Sequence, residues 1–320
     1  MRSTARQMAL VLGVMPVLPA SGLAVLYIFP GLQARRVLPA LLASFIPYAV
    51  PMWLVALAAL LGLGRGRTRW WAVPVGVALA AQTLWALPHL PHAQPSAEGS
   101  PVRLMALNVQ FGQADHDQLE AAVSAAQPDL LVLTEVTDDF LERAQSTLSH
   151  YPYRVGTSDP TGRYAGGTMV YSTSPLTELE RLDTTFTTMA VRVERPDGPL
   201  VLVAAHPVNP LLGIQAWAEE PERIREAVLR HREQPVVVAG DLNATVEHLT
   251  VRRLLRAGLA DAVDQSGAGW QPTFSTETPF PPMIAIDHVL VNHRVTATGV
   301  SAFEVAGSDH RGIVAELVVR

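Results

Sequence analysis

The first ninety residues of this chain contain no aspartate, glutamate or lysine. Their only charged side chains are Arg2, Arg6, Arg35, Arg36, Arg65, Arg67 and Arg69. Between these arginines lie three uncharged runs: Met8–Phe29, Val37–Leu63 and Trp70–Leu90. They are roughly 22, 27 and 21 residues long, enough for a hydrocarbon core of about 30 Å at about 1.5 Å per residue. A surface helix of a soluble domain needs a polar face, and none of the three runs has one. Prolines 16, 19, 39, 47, 51 and 74 would break soluble helices but are tolerated within membrane bundles. Trp70 and Trp71 open the third run, where interfacial aromatics are expected. The pattern predicts a membrane domain over residues 1–90 with three transmembrane helices. A cleaved signal peptide over the first run, with Arg2 and Arg6 as its basic start, would still leave two spans.

Arginine placement sets an expected orientation. With the N-terminus inside, Arg2, Arg6, Arg65, Arg67 and Arg69 are cytoplasmic, and Arg35 and Arg36 lie outside. Positive residues favour the cytoplasmic side, so the expectation is a multi-pass protein of the cell membrane whose C-terminal domain is extracytoplasmic. Residues 91–102 are rich in Pro, Ala, Ser and Gly and read as a short extended linker.

Residues 103–320 form the expected soluble domain, long enough to bury a core of its own. From Pro101 onward there are 17 arginines and 28 acidic residues, so 17 − 28 gives a net charge of −11. Non-specific nucleic-acid binding relies on Lys and Arg neutralising phosphates, so this balance disfavours nucleic acid as a partner. The chain has no cysteine, which excludes disulfides, thiolate metal sites and cysteine nucleophiles.

Within this domain, strands are expected at Val102–Val109, Leu130–Thr134, Gly167–Ser172, Met189–Glu194, Leu200–Ala205, Pro235–Ala239, Met283–Val291, Val295–Val305 and Ile313–Val319. Helices are expected at Asp115–Ala126, Asp138–Leu148 (capped by Thr137), Gly213–Arg232 and Val246–Ala257. The mixture suggests two packed sheets covered by helices.

Polar residues recur at the ends of the apolar strands. Asn108 ends the first and Glu135 follows the second, which makes Glu135 the natural ligand for a hard cation. His206 follows Val201–Ala205. Asp241 and Asn243 follow Val236–Gly240, where Gly240 permits a sharp turn; in an extended stretch their side chains would point the same way. Asp287 interrupts an apolar strand and needs a partner, for which His310 is the obvious candidate. Asp309, adjacent, would point to the metal. Any one of these residues could be a capping or edge residue, but the set in this order is far more specific than its members.

With Leu107-Asn108, Thr134-Glu135, His206, Gly240-Asp-Leu-Asn243, Ile286-Asp287 and Gly307-Ser-Asp-His310, residues 101–320 resemble the endonuclease/exonuclease/phosphatase superfamily. The resemblance implies a DNase I-like four-layer α/β sandwich and phosphoester hydrolysis dependent on Mg²⁺ or Mn²⁺. It implies metal binding by Glu135 with Asn108 and Asp309. It implies that Asp241 and Asn243 position water and grip phosphate, while His206 and the Asp287–His310 pair stabilise the transition state. The general base stays unassigned. Many members carry a proline two residues after the Ser-Asp-His motif; here Arg311-Gly312 follows. Three spans ahead of this domain look like the VanJ-type membrane proteins associated with teicoplanin resistance. That resemblance implies a lipid bilayer partner and a lipid-linked substrate such as undecaprenyl pyrophosphate at the outer face. The alternative is a surface-anchored endonuclease or another phosphodiesterase. Two apolar proline-rich loops, Pro207–Gly213 and Thr278–Met283, flank the expected site, and Arg154, Arg163 and Tyr164 are further candidates for phosphate contact.

Overall fold

The computed structural model describes residues 2–320. The chain forms two compact units, one ending at Pro88 and one spanning His89–Arg320. In the first, helices α1 (Arg2–Val14) and α2 (Val17–Ile28) flank a turn at Met15-Pro16. Helix α3 (Val37–Ala43) is followed by α4 (Ala49–Leu63) and α5 (Ala72–Ala86). Two stretches are long and apolar enough to cross a membrane: Arg6–Ile28, of 23 residues, and Ile46–Leu63, of 18. The third expected span falls short. Its α-helix covers 15 residues, between 3-10 turns at Gly66–Trp71 and Leu87–His89. Pro88 lacks the N–H that a continuing α-helix needs.

The interior of this unit mixes small and large apolar residues: Ala20, Ala40, Ala43, Ala49 and Ala56 are fully buried, and Leu23, Ile46, Trp53 and Leu60 nearly so. Large apolar side chains also cover its exterior, among them Leu18, Leu38, Leu54, Val77 and Leu84. Helices apolar both inside and outside depart from the pattern of a soluble surface helix. At Gly13 an added Cβ would lie 2.3 Å from the Ala59 Cβ, so α1 and α4 touch closely there. Buried Gln82 donates from Nε2 to the Ile46 carbonyl (3.1 Å) and Gln33 to the Leu26 carbonyl (3.0 Å), serving backbone oxygens where the helices break.

The second unit contains two six-stranded sheets packed with helices. The first has the order β11-β12-β1-β2-β4-β3. Its strands are β1 (Ser100–Asn108), β2 (Leu130–Thr134), β3 (Tyr153–Thr157), β4 (Thr168–Ser172), β11 (Val295–Glu304) and β12 (Arg311–Val319). The second has the order β5-β6-β7-β8-β10-β9. It is built from β5 (Leu176–Arg181), β6 (Met189–Val193), β7 (Leu200–Ala204), β8 (Val236–Asp241), β9 (Leu259–Asp261) and β10 (Asp287–Asn292). Both sheets follow one plan. A parallel pair, β1–β2 or β7–β8, lies at the centre with antiparallel strands on either side. Helices α6 (His116–Ala126) and α9 (Ile214–Arg230) make the crossovers that parallel pairing requires.

The period-two alternation of β1 serves both faces. Leu104 and Ala106 join the core between the sheets with Val132, Leu202 and Val237. Met105 and Leu107 pack outward on Leu119 of α6 and Phe140 of α7 (Asp138–Arg143). Asp115 caps α6 by accepting from the Gln118 N–H (2.9 Å), and Thr137 caps α7 through the Phe140 N–H (3.2 Å). The expected helix 138–148 breaks at Ala144, giving α7 and a short α8 (Gln145–Leu148). The chain ends its helical series with α10 (Leu249–Arg256) and α11 (Ala262–Ser266). Residues 100–102 of the expected linker are already strand, paired with β12.

The segment just ahead of the expected linker is bound down. His89 Nε2 lies 3.2 Å from Glu247 Oε1 and Nδ1 lies 3.0 Å from Asp264 Oδ1. Burial lowers the basicity of this imidazole, but the two carboxylates outweigh burial and raise its pKa from 6.5 to about 10. A cation whose pKa is raised on folding contributes stability that is complete below its unfolded value and lost as pH rises through the folded one. Between pH 6.5 and 10, wild type should therefore lose on the order of 2 kcal/mol more stability than His89→Gln. Urea midpoints of the full chain in detergent check this; parallel pH curves would mean that His89 carries no charge.

Candidate active site

The candidate residues gather where the parallel strands of both sheets end, the usual location of ligand sites in α/β sheets. Asn108 is the last residue of β1 and Glu135 follows β2; His206 lies just beyond β7 and Asp241 ends β8. The antiparallel neighbours add Asp287, first in β10, and His310, just before β12. Two of the turns need unusual backbone. Glu135 and Asn243 are non-glycine residues at φ 59° and 49°, a sparsely populated region where strain at functional sites collects. Gly240 sits at φ 134°, and a Cβ there would lie 2.3 Å from the Ala205 carbonyl oxygen. Gly240→Ala is expected to cost roughly 2–4 kcal/mol of stability. Denaturant unfolding tests this, and an unchanged midpoint would show that the backbone relaxes there at no cost.

Asn108 is the hub of the hydrogen bonding. Its Nδ2 donates to Glu135 Oε1 and to Asp241 Oδ2, both at 3.0 Å. Its Oδ1 accepts from the Gln110 N–H at 2.9 Å. The amide thus turns its nitrogen, not the oxygen a metal would need, toward the carboxylates. Glu135 Oε2 accepts from the Phe111 N–H (3.0 Å). Ser308 Oγ donates to the Asn108 carbonyl (2.7 Å) and accepts from the His310 N–H (3.0 Å), tying the two halves of the first sheet's contribution.

His310 and Asp287 are a buried pair, with Nδ1 donating to Oδ2 at 2.8 Å. That fixes the imidazole so that Nε2 points into the site, 3.8 Å from both Asp241 Oδ2 and Asp309 Oδ1. Thr273 Oγ1 accepts from the N–H groups of Ile286 (3.1 Å) and Asp287 (3.3 Å). Phe274 lies 4.9 Å from the His310 ring. His206 is fully buried, stacked on Phe186 at 4.7 Å, and its N–H donates to Thr188 Oγ1 (3.0 Å). Its Nε2 is 3.9 Å from Glu135 Oε1 and 3.7 Å from Asp241 Oδ2.

Asp241 and Asn243 do not lie along one extended stretch. Asp241 Oδ1 accepts from the Asn243 N–H (2.7 Å), an Asx-turn that reverses the chain. Asn243 Nδ2 then donates to the Pro207 carbonyl (3.0 Å), and its own carbonyl accepts from Trp217 Nε1 (2.8 Å). Asn243 therefore also couples β8 to the loop after His206. Tyr164 donates from its hydroxyl to the Thr185 carbonyl (2.7 Å) and packs edge-on against Phe186.

Burial and charge separate the two histidines. Burial, helped by the positive His310, lowers His206 to about 3. Burial would also lower His310, but the charges of Asp287 and Asp241 outweigh it and raise His310 to about 10. Burial pushes the Asp241 carboxyl above the usual carboxylate range, against the opposing charge of His310. Burial does the same to Glu135, partly offset by its bond from Asn108, and to Asp309. At neutral pH, His206 is a neutral imidazole and His310 a cation. Environments that drive two like groups apart in this way are how a site divides acid and base work.

Two groups of side chains have the spacing of a metal site: Glu135–His206–Asp241, and Asp241–Asp287–His310. The second is satisfied internally by its ion pairs. In the first, neither His206 ring nitrogen has a side-chain hydrogen-bond partner among the described residues, and the ring faces two carboxylates across gaps too long for hydrogen bonds. Carboxylate oxygens with an imidazole suit a hard or borderline divalent cation. Such an ion, when bound, offsets charge on a phosphoryl oxygen. Of the expected ligands, Glu135 belongs to this group, and Asn108 adjoins it through its bonds to Glu135 and Asp241. Asp309 is half-buried beside His310 and falls in neither group. His206 and Asp241, assigned above to catalysis, take its place in this geometry.

The supporting residues left unread in the sequence are Thr188, Thr273, Phe186 and Glu220. The Glu220 carboxylate accepts from the Thr185 and Val208 N–H groups (both 2.8 Å) on either side of His206 in sequence. A glutamate breaking the buried face of α9 was its available signal.

The strand ends thus bring together carboxylates, an amide, one neutral imidazole and one charged imidazole, a donor set that suits a divalent cation. Residues 105–310 match the Endonuclease/Exonuclease/phosphatase family. The chain belongs to this family, whose members are metal-dependent phosphoester hydrolases. Among solved structures it is similar to a family protein of Bacteroides thetaiotaomicron (16% identity, 70% of this chain and 100% of that one, TM-score 0.53). It is also similar to one from Beutenbergia cavernae (22% identity, 68% and 72%, TM-score 0.52). A third is a humanized D. rerio TDP2 (17% identity, 68% and 98%, TM-score 0.56). These likenesses show a shared fold. No curated protein matches the chain.

Proposed function

We propose that the protein is a membrane-anchored, metal-dependent phosphohydrolase of the VanJ type. In this reading it cleaves a lipid-linked pyrophosphate such as undecaprenyl pyrophosphate at the outer face of the membrane, with Mg²⁺ or Mn²⁺ as cofactor. The observation that carries it is the presence, ahead of this centre in the chain, of apolar helices whose outer faces carry exposed Leu18, Leu38, Leu54, Val77 and Leu84. A tethered centre works on what lies at the membrane surface, and a net charge of −11 from Pro101 onward disfavours a nucleic-acid track.

In this reading the chain's own groups divide the work. Glu135, His206 and Asp241 hold the metal. The His310 imidazolium, oriented by Asp287, faces the phosphoryl oxygens from the other side of Asp241 and stabilises developing negative charge. His310 Nε2–H also holds a proton available to the leaving oxygen. Asn108 keeps the two carboxylates together when like charge would separate them.

The test uses the full chain in detergent with Mg²⁺, assayed in parallel for phosphate release from undecaprenyl pyrophosphate and for nicking of plasmid DNA. Phosphate release lost in His310→Ala, with DNA intact, supports the lipid reading. Nicking without phosphate release replaces it with an anchored nuclease.

A further inference from the structure

The catalytic unit leaves several large apolar side chains exposed, and one group of them lies on loops fastened to the site. Phe111, Tyr164, Leu211, Leu212, Phe280 and Met283 are exposed to solvent. Each lies on a loop fastened to the site. The Phe111 N–H donates to Glu135 (3.0 Å). Tyr164 packs on Phe186, which stacks on His206. The loop 207–213 is held by Asn243 at the Pro207 carbonyl (3.0 Å). The loop that leads to Phe280 is held by the Thr276 N–H on the Asp309 carbonyl (2.9 Å) and by Gln110 on Glu277 (2.9 Å). Four apolar loop tips therefore frame the catalytic mouth.

Exposed apolar groups scattered singly need no explanation, but a patch of them marks an interaction surface. Leu211 and Leu212 are each 69% exposed and Phe280 70%, values reached elsewhere in this chain mainly by helices of membrane character. We propose that this rim seats on the surface of the bilayer, with its leucine and phenylalanine tips in the boundary between headgroups and acyl chains. The reacting phosphate is then met at headgroup depth.

The charge of these loops selects a lipid surface as the occupant. The segments 207–213 and 278–283 contain no ionisable side chain, although the domain as a whole is strongly acidic. An anionic lipid surface therefore does not repel these two loop tips, which carry the most exposed leucines and phenylalanine of the rim. The inference rests on the membrane-anchored part of the proposed function and is independent of the head group.

The absence of cysteine allows single labels to be placed cleanly. Leu212→Cys, Phe280→Cys and Leu179→Cys, the last on β5 as a control, would carry an environment-sensitive fluorophore in the full chain reconstituted in phosphatidylcholine/phosphatidylglycerol vesicles. The expected result is blue-shifted emission at 212 and 280, with at least twofold quenching by doxyl-labelled lipid, and neither effect at 179. Hydrolysis of a water-soluble phosphodiester by each labelled chain shows that it is folded. Emission at 212 and 280 as wet and unquenched as at 179 overturns the proposal. A blue shift without lipid quenching also overturns it, since something other than lipid then covers the rim. If the labels are quenched but wild type releases no phosphate from undecaprenyl pyrophosphate, the rim stands and the substrate reading falls.

Discussion

Replacing Glu135 with Gln is expected to lower turnover of a phosphodiester such as bis-p-nitrophenyl phosphate by roughly 10³-fold or more. The change keeps the shape of the side chain and one of its two accepted bonds, since the single amide oxygen can take the bond from Asn108 or from the Phe111 N–H but not both. It removes one of the two carboxylate charges facing His206. The fold should persist and the metal affinity should not. Calorimetric titration with Mn²⁺ beside steady-state kinetics separates the two effects. Activity within tenfold of wild type at ordinary metal concentrations would rule out Glu135 as the metal anchor.

Replacing Asp287 with Asn should be nearly as damaging, by roughly 10²–10⁴-fold, as when a neutral amide replaces the carboxylate that orients a catalytic histidine. In the wild type, burial lowers the basicity of His310, and the neighbouring carboxylates overturn that and raise it to about 10. Without Asp287, burial acts against one opponent fewer, and the imidazolium loses its proton at a lower pH. If the cation is the working form, residual activity of the variant should rise as pH falls through the neutral range, while wild type stays flat there. A variant profile parallel to that of wild type would show that His310 does not act as a cation.

The parts of the fold that were legible in the sequence are those with both faces buried. Strands β2, β7 and β8 and the second half of β1 read as apolar runs because helices cover one side and the other sheet covers the other. Strands β3 and β5 lie at sheet edges, and the Leu-Thr-Glu-Leu-Glu-Arg of β5 alternates burial without an apolar run. Short β9 gave no periodic signal at all. The site followed the same logic. A polar residue ending an apolar run is visible in a sequence, so Asn108, Glu135, His206, Asp241 and Asp287 could be read. What those residues do to one another was not visible. Which end of the Asn108 amide faces the carboxylates depends on the Gln110 N–H two residues on. The reversal at Asn243 depends on a side chain accepting from its near neighbour's backbone. The apolar region was legible in composition but not in helix length, because the 3-10 turns that bound the third helix, at Gly66–Trp71 and Leu87–His89, are a matter of backbone geometry and leave no mark on hydropathy.

Because the two sheets repeat one plan, the catalytic centre is a seam. Asn108, Glu135 and His310 arrive with one sheet, and His206, Asp241 and Asp287 with the other. Neither half carries a working set. The bonds that cross the seam, Asn108 to Asp241 and His310 to Asp287, form only when the apolar faces between the sheets have closed. Chemistry in this molecule is therefore a readout of docking. A methyl group lost from the interior between the sheets is felt at the phosphate even though it touches nothing there.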